Sequence, residues 1–114
     1  MSVLRKWLKD TYKVRYGCQV TRPRIVCKDG FSMSVQAGEA IYCMPRVNLS
    51  SGGYAEVEIG FPSEKEDLIC HYAEDYTDYT ETVYPYVPVE VVEKVIEKHG
   101  GMVGLAKENE HDIS

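Results

Sequence analysis

From residue 54 to residue 61 apolar and polar side chains alternate without a break. Ala55, Val57 and Ile59 fall on one side, and Tyr54, Glu56 and Glu58 on the other. Successive side chains of a strand point to opposite faces, so a period of two specifies a strand with one face buried and one wet. Such a strand cannot stand alone. It needs partners at its edges and a layer over its apolar face, and in 114 residues that means one small domain with one core. The partners are legible. Residues 24–27 and 31–37 read as short strands flanking Lys28-Asp29-Gly30, a hairpin turn in which glycine supplies the positive φ. Gly38-Glu39 reads as a second tight turn and residues 40–44 as a third strand stopped by Pro45. Residues 83–87 read as a further strand, confined to a sheet edge by Pro85.

The covering layer should be helical. Over residues 2–14, Leu4, Trp7, Leu8 and Thr11/Tyr12 form one stripe while Arg5, Lys6, Lys9 and Lys13 cover the other side, with Ser2 as the cap. Ser63 followed by Glu66 matches a capping box and predicts a short middle helix over residues 63–72. Pro88 opens a third helix, with Val91, Val92, Val95 and Ile96 inward and Gly100-Gly101 as its stop. Residues 17–23 read as a connection, 47–53 as a flexible loop, and 73–82 as an acidic irregular stretch. The expected fold class is α+β, with a small antiparallel sheet of about four strands and an N-terminal, a short middle and a C-terminal helix. One domain spans residues 1–105, with a polar tail over 106–114.

Charge is unevenly spread. Residues 1–28 hold eight basic residues against one acid, and the rest of the chain holds seventeen acids against five bases. Residues 54–81 carry nine acids with Lys65 as the only base, and between residues 67 and 87 five carboxylates are interleaved with five tyrosines. The plain reading is a solvated surface with internal pairing. The functional reading is a partner-binding surface made by Glu56, Glu58, Glu74, Asp75, Tyr76, Asp78, Tyr79 and Glu81. Carboxylates spaced along a surface imitate a phosphate backbone and suit a basic groove, while tyrosines add flat amphipathic contact area.

Catalytic templates fail on spacing or context, so the chain reads as a non-enzyme. Cys70 and His71 are sequence neighbours, which seldom places a base against a thiol, and the paired glycines lack the strand–loop–helix setting of a phosphate loop. The four cysteines are spaced 9, 16 and 27 residues apart rather than in CxxC pairs. Buried reduced thiols are one reading. Zinc held by Cys18, Cys43, Cys70 and His71 is the other. If Ala37 pairs with Ala40, Cys43 lies opposite Ser34, on the sheet face away from Cys27. His99, at a helix C-terminus, is accounted for by the helix dipole. No run of about 18 apolar residues suggests a membrane span, and the N-terminus lacks the apolar stretch of a secretory leader.

Five stretches together, VCKDGFSMSVQA (26–37), YCMPR (42–46), VEIGFPSE (57–64), YAED (72–75) and TVYPYVPVEVVEKVIEKHGG (82–101), resemble a family of short proteins encoded in phages and prophages of Gram-positive bacteria. The resemblance covers residues 22–102. Small acidic phage proteins of this type include anti-CRISPR inhibitors of the type II RNA-guided nuclease, some of them zinc-containing. It implies a phage accessory protein acting in the cytoplasm of the infected bacterium, with a type II CRISPR effector nuclease as partner and no direct contact with nucleic acid or membrane. Two alternatives stand beside it. One is a metal-stabilised phage protein that binds nucleic acid through its basic N-terminal arm, and the other is a structural phage protein.

Overall fold

The computed structural model describes residues 2–15 and 19–103. The alternating stretch becomes β5 (Glu56–Gly60), inside an antiparallel four-stranded sheet ordered β3 (Ile25–Val26), β4 (Ser32–Gln36), β5 and β6 (Val83–Pro88). Among the described residues two α-helices, α1 (Val3–Asp10) and α2 (Val89–Lys98), complete an α+β fold. A separate two-stranded ribbon joins β1 (Val14–Arg15) to β2 (Gln19–Val20). Part of the expected connection over 17–23 is therefore strand; its Gly17 lies outside the described residues, as does the tail 106–114.

The hairpin forms as the turn residues dictate. Ile25 pairs with Met33 and Val26 with Ser32, and Gly30, at φ 96°, donates its N–H to the Cys27 carbonyl. Met33 and Val35 of β4, Val57 and Ile59 of β5, and Tyr84 and Val87 of β6 share one buried face. Leu4, Trp7 and Leu8 of α1 and Val92, Val95 and Ile96 of α2 close over it. Each such side chain contributes about 1.5–3 kcal/mol by leaving water. Ser2 caps α1 through its hydroxyl, which accepts from the Arg5 N–H. The N–H groups of Gly100 and Gly101 cap α2, donating to the carbonyls of Glu97 and Ile96.

Arg22 fixes α1 to the sheet. The residue is 5% exposed, and its guanidinium donates to Thr11 Oγ1, Ala37 O and Leu8 O. Burial lowers its pKa, because no carboxylate shares the site to favour the charge; carbonyls at the helix end carry the compensation. The backbone of the same residue exchanges two hydrogen bonds with the Gln36 amide.

Several expectations are corrected. The helix over 2–14 stops at Asp10, where the Thr11 hydroxyl donates back to the Trp7 carbonyl. The middle helix over 63–72 is reduced to a 3-10 turn, Cys70–Tyr72. Both capping-box residues are taken by tertiary partners: Ser63 Oγ accepts from the Ser32 N–H, and the Glu66 carboxylate turns inward to Lys98 and His99. Residues 40–44 do not form the third strand. The Cys43 thiol folds back to exchange hydrogen bonds with the N–H and C=O of Gly38, a cis peptide joins Met44 to Pro45, and Met44 makes a single bridge to Glu56. The neighbour of β4 is β5, paired Val35 to Ile59, so Cys43 is a core residue and not a strand residue opposite Ser34. Tyr54 and Ala55 exchange their expected faces. Tyr54 is buried and its hydroxyl donates to the Val47 carbonyl, while Ala55 is exposed.

Nor is the stretch 47–53 a loose one. Gly52, at φ 73°, packs so closely on α1 that a Cβ there would sit 2.8 Å from Arg5 O and 2.8 Å from Lys9 N. Both obstacles are helix backbone and cannot rotate away. Gly52→Ala is therefore expected to cost about 2–4 kcal/mol, combining left-handed strain with overpacking. Thermal unfolding should show a Tm lower by roughly 10 °C; an unchanged Tm would mean α1 does not dock on Gly52 as described.

Candidate functional site

The acidic stretch is irregular in name only. Asp75-Tyr76-Thr77 and Asp78-Tyr79-Thr80 repeat one tripeptide, and each folds in the same way. Asp75 Oδ1 accepts from the N–H and hydroxyl of Thr77 at 2.8 and 2.6 Å, and Asp78 Oδ1 does so from Thr80 at 3.3 and 3.1 Å. A short acceptor side chain bonding the backbone two residues on is the standard device for closing such a turn. The Thr77 hydroxyl and N–H also lower the pKa of Asp75. At the base of the loop the Glu74 N–H donates to Val83 O and the Asp75 N–H to Thr82 Oγ1; above it, the buried Tyr84 donates its hydroxyl to Tyr79 O at 2.5 Å.

Of the expected contact residues, Glu74, Asp75, Asp78 and Glu81 are exposed on this loop, and Tyr76 is 68% exposed. Tyr79 is half-buried, with Lys65 Nζ 5.3 Å from its ring centre. Glu56 and Glu58 are not part of the loop but half-buried on the outer face of β5, where Glu58 feels the charge of Glu74. Burial raises the pKa of Glu58, against the opposing effect of the Tyr42 N–H. One aromatic of this region has no sequence signal. Phe61 is 47% exposed at φ 49°, its N–H donating to Thr82 O. Thr82 also anchors Asp75 through its hydroxyl, so the exposed Phe61 is joined by its backbone to the foot of the acidic loop.

A second cluster is buried. His99 at the end of α2 stacks on Phe31 at 4.1 Å between centroids, with Nδ1 2.5 Å from Asp29 Oδ2 and Nε2 2.6 Å from Glu66 Oε1. Glu66, 1% exposed, also accepts from Lys98 Nζ at 2.8 Å and from the Leu68 N–H. Both ring nitrogens face carboxylate oxygens, and with both carboxylates ionised the ring can satisfy the two only as an imidazolium. Burial opposes that charge, but the hydrogen bonds to Glu66 and Asp29 outweigh it and raise the His99 pKa. Glu66 is penalised by burial yet lowered on balance by Lys98, Leu68 and His99; Asp29 is lowered by the Phe31 N–H and by His99. A ring with both nitrogens occupied has no lone pair for general-base work. The helix dipole, the sequence-level account of His99, is a small part of this arrangement.

Of the expected zinc ligands, the three described ones, Cys43, Cys70 and His71, are not grouped together. Cys43 is buried beside Gly38, and the Cys70 thiol donates to Glu66 O. His71 packs on Tyr72, and Cys18 lies outside the described residues. Among the described residues no three His, Cys, Asp or Glu side chains are grouped to hold a metal. Cys27, Cys43 and Cys70 are free thiols, and burial, then the charge of Asp29, pushes Cys27 up to about 11.

No protein-family model, curated protein or solved structure matches the chain. The resemblance to prophage proteins thus rests on the quoted stretches of sequence alone.

The buried cluster sets a pH window for stability. His99, with its folded pKa above the usual 6.5, stabilises fully below that value and loses its contribution as pH rises through the folded pKa. Glu66 and Asp29, lowered from 4.5 and 3.8, stabilise above those values and lose it as pH falls through their folded pKa values. Tm should therefore be highest between about 4.5 and 6.5 and decline on the alkaline side. His99→Gln, which leaves Glu66 with less compensation, should cost on the order of 2–3 kcal/mol and flatten the alkaline decline. Melting curves in a pH series check this, and an alkaline limb identical in both proteins would refute it.

Proposed function

We propose that this chain is a non-enzymatic inhibitor that binds the type II RNA-guided nuclease of a bacterial host through loop 73–82. It occupies a Lys/Arg-lined groove meant for nucleic acid and so blocks guide or target loading. The observation that carries the reading is the loop itself: exposed carboxylates on two self-closed turns, with the exposed Tyr76 within it and the exposed Phe61 joined to it through Thr82. Preformed turns reduce the ordering cost of binding, charge steers the encounter with a basic channel, and the aromatics supply contact area that carboxylates lack. The inhibitor acts in the host cytoplasm and touches neither nucleic acid nor membrane. No helix among the described residues is long and apolar enough to cross a membrane.

The basic N-terminal arm is less suited to nucleic acid than its charge suggests. Arg22 is buried, Arg5 donates to Tyr54 O, and Arg24 donates to Ser32 Oγ and Phe61 O, so three of its arginines tie the fold together. Lys6 is paired with Asp10 at 2.6 Å.

Reversing Glu74 and Glu81 to Lys, which leaves both Asp-closed turns intact, should weaken inhibition of guided DNA cleavage by about tenfold or more, since like charges would then meet in the groove. The melting temperature should be unchanged, because neither residue packs in the core. Tyr76→Ala with Phe61→Ser should weaken it by a further factor of about ten. Cleavage assays with purified nuclease and guide check both, and full inhibition by the charge-reversed protein would sink the reading.

A further inference from the structure

A second surface feature lies on the outer face of the sheet, where β6 bulges. Val57 faces Val87 but Ile59 faces Tyr84, so Pro85 and Tyr86 together oppose Glu58. Tyr86 sits at φ 54° and donates its N–H to the Tyr42 carbonyl at 3.1 Å. That bond brings two aromatic rings side by side, their centroids 6.0 Å apart and their planes inclined at 45°. Neither ring is covered: Tyr42 is 42% exposed and Tyr86 40%. Arg46 places its guanidinium carbon 5.1 Å from the centre of the Tyr42 ring. Glu58 belongs to the same group, because the bulge sets it opposite Tyr86 on the outer face, where it also feels the charges of Glu74 and Arg46.

The chemistry of this group selects its ligand. An apolar group laid across the two rings would seal Glu58 from water without compensating its charge. An anion would meet Glu58 and Glu74. A cation gains from the faces of both rings and from the carboxylate, and a planar guanidinium stacks on tyrosine better than an ammonium does. The chain demonstrates the fit with its own Arg46. We propose that Tyr42, Tyr86 and Glu58 form a recognition site for an arginine side chain of a basic partner, which Arg46 fills in the free protein. Docking of a partner's arginine displaces Arg46 and leaves the site's other contacts in place. The proposal shares with the functional reading a basic partner, but it does not need that partner to be a nuclease.

A test without any nuclease keeps the two apart. Binding of fluorescent nona-arginine and nona-lysine peptides is measured by anisotropy against the full chain and its variants. Arg46→Ala should bind the arginine peptide about three- to tenfold more tightly than the unaltered protein, with a smaller gain for the lysine peptide. Tyr42→Leu with Tyr86→Leu should weaken arginine-peptide binding by a similar factor. Lys94→Ala, on the exposed side of α2, makes the same change of net charge and is the control. Equal gains from Arg46→Ala and Lys94→Ala would reduce the effect to overall charge and overturn the proposal. So would unchanged binding by the double tyrosine variant, with circular dichroism showing it folded. Arg46 is exposed, so its removal keeps the fold and leaves the first comparison decisive.

Discussion

One imidazole ring can donate to two carboxylates only while it carries a positive charge, and at His99 that condition joins three distant parts of the chain. Asp29 comes from the β3–β4 turn, Glu66 from the segment between β5 and β6, and the ring from the end of α2. With Lys98 included, two positive and two negative groups offset one another around a carboxylate that is 1% exposed. Without them Glu66 would face the core as an uncompensated charge, the costliest arrangement a small domain can contain. The segment that holds Glu66 has only a single 3-10 turn of regular structure, so this cluster does for it what a helix would have done.

From that fixed segment the chain passes directly into the acidic loop. The loop is held at its foot by hydrogen bonds to Thr82 and Val83 and higher up by the Tyr84 hydroxyl. Its carboxylates are thereby presented from a rigid sheet edge. Rigid presentation favours binding to a groove of fixed shape, since little freedom remains to be lost on contact. The tyrosines divide by position. Tyr84 is wholly internal, Tyr76 faces outward, and Tyr42 and Tyr86 pair on the sheet's outer face.

Where local chemistry decides the outcome, the sequence was readable. The alternation at 56–60, the turn at Gly30, the caps at Ser2 and Gly100-Gly101, and the restriction of β6 to an edge all follow from short-range rules. Where a distant residue competes, local rules gave the wrong partner. Ser63 and Glu66 satisfy a capping box on paper, yet Ser32 and His99 take them. Residues 40–44 have strand composition, but the Cys43 thiol bonds back to Gly38 and Met44 is left with a single bridge to Glu56. The candidate contact surface was legible as a charge pattern, while its subdivision was not. Glu58 and Tyr86 are brought beside Tyr42 by a one-residue bulge, and Phe61 is exposed at a left-handed backbone position, neither of which has a compositional mark.

The two Asp-Tyr-Thr turns have a consequence for how such a loop can change. Each closes on its own side chains, so neither needs the other for its shape. The anchors that matter to the domain lie at the loop's ends and at the Tyr79 carbonyl. Duplication of three codons would therefore add another complete unit, with one more carboxylate and one more aromatic ring, and leave the core undisturbed. The reach and charge of the loop are adjustable in discrete steps, by a slip in copying rather than by redesign of the fold.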